Sequence, residues 1–155
     1  MMKNFLFLIF LLSGVQAQCQ SIAPEWQPYF SAVVVKNLAT SVKWYQSVFD
    51  LRVKTQMIDP NQSYRITILE SSSYLLEILE LKGSLVRKDL LKDKPDGTEL
   101  QGHFKIGFKI SDVNKWLEHL KSLSITVPQV WTDSKTGRKN FLIQDPDGNL
   151  VQFFE

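Results

Sequence analysis

The chain has 155 residues and one cysteine, Cys19. A lone thiol forms no internal disulfide, so the fold must be stabilised by its buried apolar surface. Only two histidines are present, His103 and His119, and no cluster of cysteines has metal-binding spacing. No Ser-His-Asp ordering and no Gly-rich phosphate loop occurs. Seven glycines and six prolines are scattered, with no low-complexity tract. The 18 basic and 16 acidic residues leave no charge excess to hold a nucleic acid backbone. The densest basic cluster, KTGRKN at 135–140, reads as a solvated hairpin turn. Apolar residues at 44% and charged residues at 22% describe a globular chain long enough for one domain.

The one sustained apolar run lies at the start. Residues 1–17, MMKNFLFLIFLLSGVQA, carry Lys3, then an apolar stretch from Phe5 to Leu12, then small residues at Val15 and Ala17. That order is a secretory signal peptide with cleavage after Ala17. The stretch is too short for a stable membrane span. Acylation at Cys19 is the weaker alternative, because Gln18 stands where a small residue is wanted. Cleavage removes Lys3, lowering the formal charge of +2 by one. The reading is therefore an exported protein, periplasmic or extracellular, with residues 18–28 as an N-terminal tail and one domain over 29–155.

That domain contains a repeat. FSAVVVKNL at 30–38 falls on KIGFKISDV at 105–113, and ITILESSSYLLEILE at 66–80 falls on FLIQDPDGNLVQFFE at 141–155, at one constant shift. Each copy reads as strand, helix, then two or three strands. Val42, Tyr45, Val48 and Phe49 mark one helix stripe, and Val113, Trp116, Leu117 and Leu120 the other. Asn37 and Asp112 stand where helix N-caps belong. RVKTQM (52–57) and TVPQVW (126–131) supply the remaining strand of each copy. The expected fold is α+β: two βαβββ modules, about 29–81 and 103–155, joined by a polar linker over 82–102, forming a curved mixed sheet around a concave cavity.

Strand alternation assigns faces. Val33, Val35, Ile106, Phe108 and Ile110 are expected against the helices. Phe30, Ala32, Val34, Lys105 and Gly107 are expected in the hollow, with His103 on the same side. In the last strand Val151 and Phe153 face one way, and Leu150, Gln152 and Phe154 the other. Glu77 is the repeat mate of Gln152.

VVVKNLATSVKWYQSVFDLRV, GFKISDVNKWLEHLKSL and DPDGNLVQF together resemble the glyoxalase I/bleomycin-resistance/extradiol dioxygenase superfamily, the vicinal oxygen chelate fold. The resemblance covers about residues 29–155. In metal-using members, a His or Gln from the first strand of each module and a Glu from the last strand of each ring one divalent ion. Position by position, those places here are Phe30, Glu77, Lys105 and Gln152. Only Glu77 matches. A phenyl ring has no lone pair, an ammonium repels a cation, and an amide is a poor substitute for a carboxylate. Reading His103 in place of Lys105 still leaves no fourth ligand.

What the resemblance implies is thus a metal-free protein, without a cofactor, holding a small molecule in the hollow as bleomycin-resistance members do. The expected partner, beside the small molecule, is a second copy of the chain in a homodimer. The candidate ligand-binding residues are Phe30, Glu77, His103, Lys105, Gln152 and Phe154, with Tyr74 and Trp131 as further aromatic wall. Glu77 and Lys105 are either separately solvated or paired across the hollow, the ammonium replacing a metal's charge. The alternative function is a divalent-metal lyase, isomerase or dioxygenase of the glyoxalase type, with Glu77 as its catalytic carboxylate. The third is an interaction domain whose hollow is filled. His119 lies off its helix stripe and is expected to be solvated.

Overall fold

The computed structural model describes residues 28–155. The signal segment 1–17, the cleavage site after Ala17 and Cys19 lie outside the described residues, as does the tail up to residue 27.

The first module runs β1 (Phe30–Val34), α1 (Leu38–Phe49), β2 (Arg52–Ile58), β3 (Tyr64–Glu70) and β4 (Leu75–Leu81). A short helix α2 (Arg87–Leu91) follows, then β5 (Lys105–Lys109), α3 (Val113–Ser122), β6 (Val130–Thr132), β7 (Lys139–Gln144) and β8 (Leu150–Phe154). Two four-stranded sheets result, ordered β1-β4-β3-β2 and β5-β8-β7-β6. In each the first strand pairs in parallel with the last and the other pairs are antiparallel. The two modules and their constant shift are as the repeat implies.

Both expected helix caps form. Asn37 Oδ1 accepts from the Thr40 N–H at 2.9 Å, and Asp112 Oδ1 from the Lys115 N–H at 3.1 Å. Each satisfies a first-turn donor that the helix itself leaves free. Within the polar linker Arg87–Leu91 closes into one helical stretch. One detail differs from expectation. The stretch 126–131 forms a strand only from Val130, because Pro128 has no N–H to give to a ladder. No helix among the described residues is long and apolar enough to cross a membrane.

The core has two lobes. Val33, Val35, Tyr45, Leu69, Leu76 and Ile78 are buried in the first module. Ile110, Val113, Leu120, Phe141, Ile143, Val151 and Phe153 are buried in the second. These positions follow the predicted alternation and leave the opposite sheet faces outward. Helix α1 serves both lobes. Its Tyr45 packs in the first, while Val48 packs in the second with Phe49 beside it. The Phe49 ring lies parallel to Phe153 with centroids 5.6 Å apart and meets Phe108 at 4.7 Å.

Candidate functional site

A cavity of about 710 Å³ lies between the two modules, where β1 and β5 form the facing ends of their sheets. The two strands run antiparallel across it. The Lys36 N–H, just past the end of β1, donates to Asp147 Oδ1 at 3.0 Å, close to where β5 begins beside Leu150. At the other end Tyr74, next to the partner of Phe30, meets Phe108 of β5 edge-on at 5.2 Å.

This arrangement gives the cleft two chemically different ends. Phe30 and Tyr74 stand at one, with Ile106 on the wall. Lys36, Arg87, His103 and Lys105 line the other, with Leu85 and Val86 of the linker also in the lining. Arg87 is shared with Glu99 in an ion pair. Lys105 Nζ sits 5.8 Å from the Phe104 ring centre, a weak cation–π contact. Asp147 is the single carboxylate in the lining among the described residues, and it is already engaged by the Lys36 N–H and by the Ser41 hydroxyl at 3.1 Å. Burial raises the Tyr74 hydroxyl pKa above its usual value, partly offset by the Ser31 hydroxyl nearby. No hydrogen bond of ordinary geometry from the described residues reaches the Tyr74 oxygen.

Of the predicted site residues, Phe30, His103 and Lys105 line this cleft. Glu77 lies in the middle of its sheet between Ala32 and Ile68, half-buried on the face away from α1. No ion pair joins Glu77 to Lys105. The register explains why: Lys105 is at the start of an end strand in one module, and Glu77 is at the centre of the other sheet. Gln152 is 8% exposed, and its Nε2 donates to Asn140 Oδ1 at 3.0 Å. Its Oε1 is buried without a partner. Phe154 folds across Gly107, where an added Cβ would meet its Cε2 at 3.2 Å. His119 is exposed, yet its Nε2 lies 3.0 Å from the Val48 carbonyl. A carbonyl only accepts, so Nε2–H donates to the end of α1. The solvated reading of His119 is corrected to that extent.

Lys36, Leu85, Val86, Arg87 and Phe104 were not among the predicted site residues. Four of the five lie within two residues of the linker's ends or in its polar run, where local patterning carries no face assignment.

A divalent ion does not fit the four inherited positions. Phe30 and Lys105 offer no lone pair, and Gln152 offers only a neutral amide oxygen where a carboxylate is needed. No group of three or more His, Cys, Asp or Glu side chains converges anywhere among the described residues.

The boundary between modules is held by the DPDG turn. Gly148 N–H returns to the Asp145 carbonyl at 3.0 Å, and Gly148 takes φ 84°, a conformation that side-chain-bearing residues resist. The turn presents Asp145, 5% exposed, to the Asp147 and Asn149 N–H groups at 2.9 and 2.8 Å. Its Oδ2 also accepts from the Tyr45 hydroxyl at 2.9 Å. Burial, then the Asp145 carboxylate, push the Tyr45 pKa far above its ordinary value, so the phenol stays a donor.

Comparison with known proteins agrees with this architecture. The family model described as Glyoxalase/Bleomycin resistance protein/Dioxygenase superfamily matches residues 28–153. A glyoxalase family protein from Enterococcus faecalis superposes with a TM-score of 0.72 at 21% identity, covering 83% of this chain and 97% of that one. A lactoylglutathione lyase from Agrobacterium tumefaciens gives 0.60 at 20% identity, covering 86% and 96%. A genomically encoded fosfomycin resistance protein from Listeria monocytogenes gives 0.63 at 15% identity, covering 85% and 94%. No curated protein matches in sequence.

Proposed function

The chain belongs to the glyoxalase/bleomycin resistance protein/dioxygenase superfamily, and from that premise we propose that it is an exported protein binding a small molecule without a metal. The observation that carries this reading is the cleft between β1 and β5. It is open, it joins an aromatic end to a cationic end, and its one carboxylate is already engaged. Sequestration needs only such a site. The glyoxalase-type alternative needs a donor set that Phe30 and Lys105 do not provide. The filled-cavity alternative needs the lining side chains to meet, and they leave about 710 Å³ between them.

A homodimer belongs to the same proposal. Val34, Leu79, Ile66 and Met57 form one apolar row across the outer face of the first sheet. Val34 and Met57 are 44% and 45% exposed. Light scattering on the mature protein should give twice the chain mass, and a monomer at micromolar concentration would remove this part.

Export predicts that protein from the native host begins at Gln18, read by intact-mass spectrometry. A product retaining Met1 would contradict it. The binding reading is tested by elemental analysis of the purified mature protein together with a thermal-shift screen of drug-like molecules. The expected result is under a tenth of an equivalent of metal, by order of magnitude, and stabilisation by at least one compound class. A tightly held stoichiometric Zn, Ni, Mn or Fe would overturn the metal-free assignment.

A further inference from the structure

The cleft is lined by consecutive residues, 30 to 36 on one side and 103 to 107 on the other. Side chains of a strand alternate between faces, so an uninterrupted run means that the cleft follows the strand edges. The backbone direction can be read from the ladder. The Val35 N–H donates to the Leu79 carbonyl at 2.8 Å, so odd-numbered residues of β1 turn their amides to β4. Phe30, Ala32 and Val34 therefore turn theirs into the cleft. Lys36, next in that series, donates its N–H to Asp147 of the second module. In β5 the Ile110 N–H donates to the Phe154 carbonyl, which sends the amides of Lys105 and Gly107 into the same cleft.

Among the described residues, two strand edges without a ladder partner thus face each other inside one molecule. Each presents alternating N–H and C=O groups that only a chain with the same alternation satisfies in full. Among the described residues neither sheet extends further on that side. Charge adds a direction. The Lys36 and Lys105 ammonium groups, the His103 imidazole and the already engaged Asp147 carboxylate stand at one end, whereas Phe30 and Tyr74 stand at the other.

We propose that the cleft takes a short extended peptide by strand addition, its C-terminal carboxylate at the Lys36/His103/Lys105 end and an apolar residue against Phe30 and Tyr74. The proposal rests on the ligand-binding reading above and names its ligand class. Main-chain hydrogen bonds supply affinity that is tolerant of sequence, the two lysine ammonium groups select a free carboxylate, and the aromatic end selects the far residue.

The test incubates the mature protein with pooled random pentapeptides bearing free C-terminal carboxylates, and separately with the same pool amidated. Retained species are read by affinity-selection mass spectrometry, with a non-peptide fragment pool as a third arm. Carboxylate peptides should be retained about tenfold or more over their amides, as expected for loss of a charge-assisted contact. N-methylation of alternate residues in a retained peptide should abolish its binding. Ala32→Pro should also weaken it, because that N–H faces the cleft and the β1–β4 ladder does not use it. The N-methyl arm stands even if this variant misfolds. Retention of fragments but no peptides would overturn the proposal and leave the binding reading intact. Retention of nothing in any arm would remove both. Equal retention of N-methylated and parent peptides would show that the edges are not used.

Discussion

Tyr45→Phe isolates one bond at the boundary between the modules. The substitution keeps the ring in place and deletes the hydroxyl that donates to Asp145 Oδ2 at 2.9 Å. Tyr45 is fully buried and Asp145 nearly so, so water does not replace the lost donor without rearrangement. A hydrogen bond to a charged acceptor contributes about 1.5–3 kcal/mol net. The carboxylate keeps Asn149 Nδ2 on the same oxygen and two backbone N–H groups on the other. That remaining shell places the expected cost toward the lower end, about 1.5–2 kcal/mol. For a domain of this size the corresponding fall in Tm is roughly 5–10 °C. Urea unfolding of the two proteins at pH 7, with equal slopes, gives the difference directly. Asp145→Asn should cost more, because an amide nitrogen would then face N–H donors. The double variant should cost less than the sum of the two changes. A Tyr45→Phe stability within about 0.5 kcal/mol of the parent would refute the reasoning, since that is the scatter of an inconsequential surface change.

Gln152→Glu should destabilise by about 1–3 kcal/mol at pH 7, because it places a charge in a nearly buried site whose neighbour is an amide; calorimetry should show the loss shrinking as pH falls and the carboxyl protonates. Glu80 is held below its ordinary pKa of 4.5, first by the Arg65 hydrogen bond and then by the Leu38 N–H. Its contribution is therefore complete above that ordinary value and lost as pH falls through the lower folded value. A Glu80→Gln protein should show a flatter Tm profile across that acid range than the parent. Glu77→Gln and Lys105→Met make no shared contact, so their costs should add within about 0.5 kcal/mol in a double-mutant cycle. Gly107→Ala should leave stability within about 1 kcal/mol, since the Phe154 ring is 42% exposed and free to swing aside.

The modules, the helix caps and the buried faces were legible because each depends on short-range pattern: a constant shift, a capping side chain, an alternation of period two. The partners of Tyr45 and Phe49 were not. Both lie on the apolar stripe of α1, and periodicity says that the stripe is buried without saying against which sheet. A buried tyrosine hydroxyl does require a partner, which was a usable signal for Tyr45. Its acceptor was a carboxylate in the DPDG turn, which reads from sequence as turn chemistry alone. The site divides in the same way. His103, Lys105 and Phe30 were expected together from strand position, and all three line the cleft. Lys36 and Arg87 enter the cleft only through the relative placement of two sheets and a linker, and no local pattern encodes that placement. The absent Glu77–Lys105 pair has the same origin, since equivalence within a repeat does not mean proximity between its copies.

The Tyr45–Asp145 bond spans 100 residues of chain. A ribosome adding about 5–20 residues per second needs roughly 5–20 s to supply the acceptor after the donor has emerged. Through that interval α1 has neither its carboxylate nor the Phe153 ring against which Phe49 stacks. The first module is made early and finished late. For a chain proposed to leave the cytoplasm, this delay favours passage before the fold closes, and a factor that holds unfolded chains would find Trp44, Tyr45, Val48 and Phe49 among its first apolar targets.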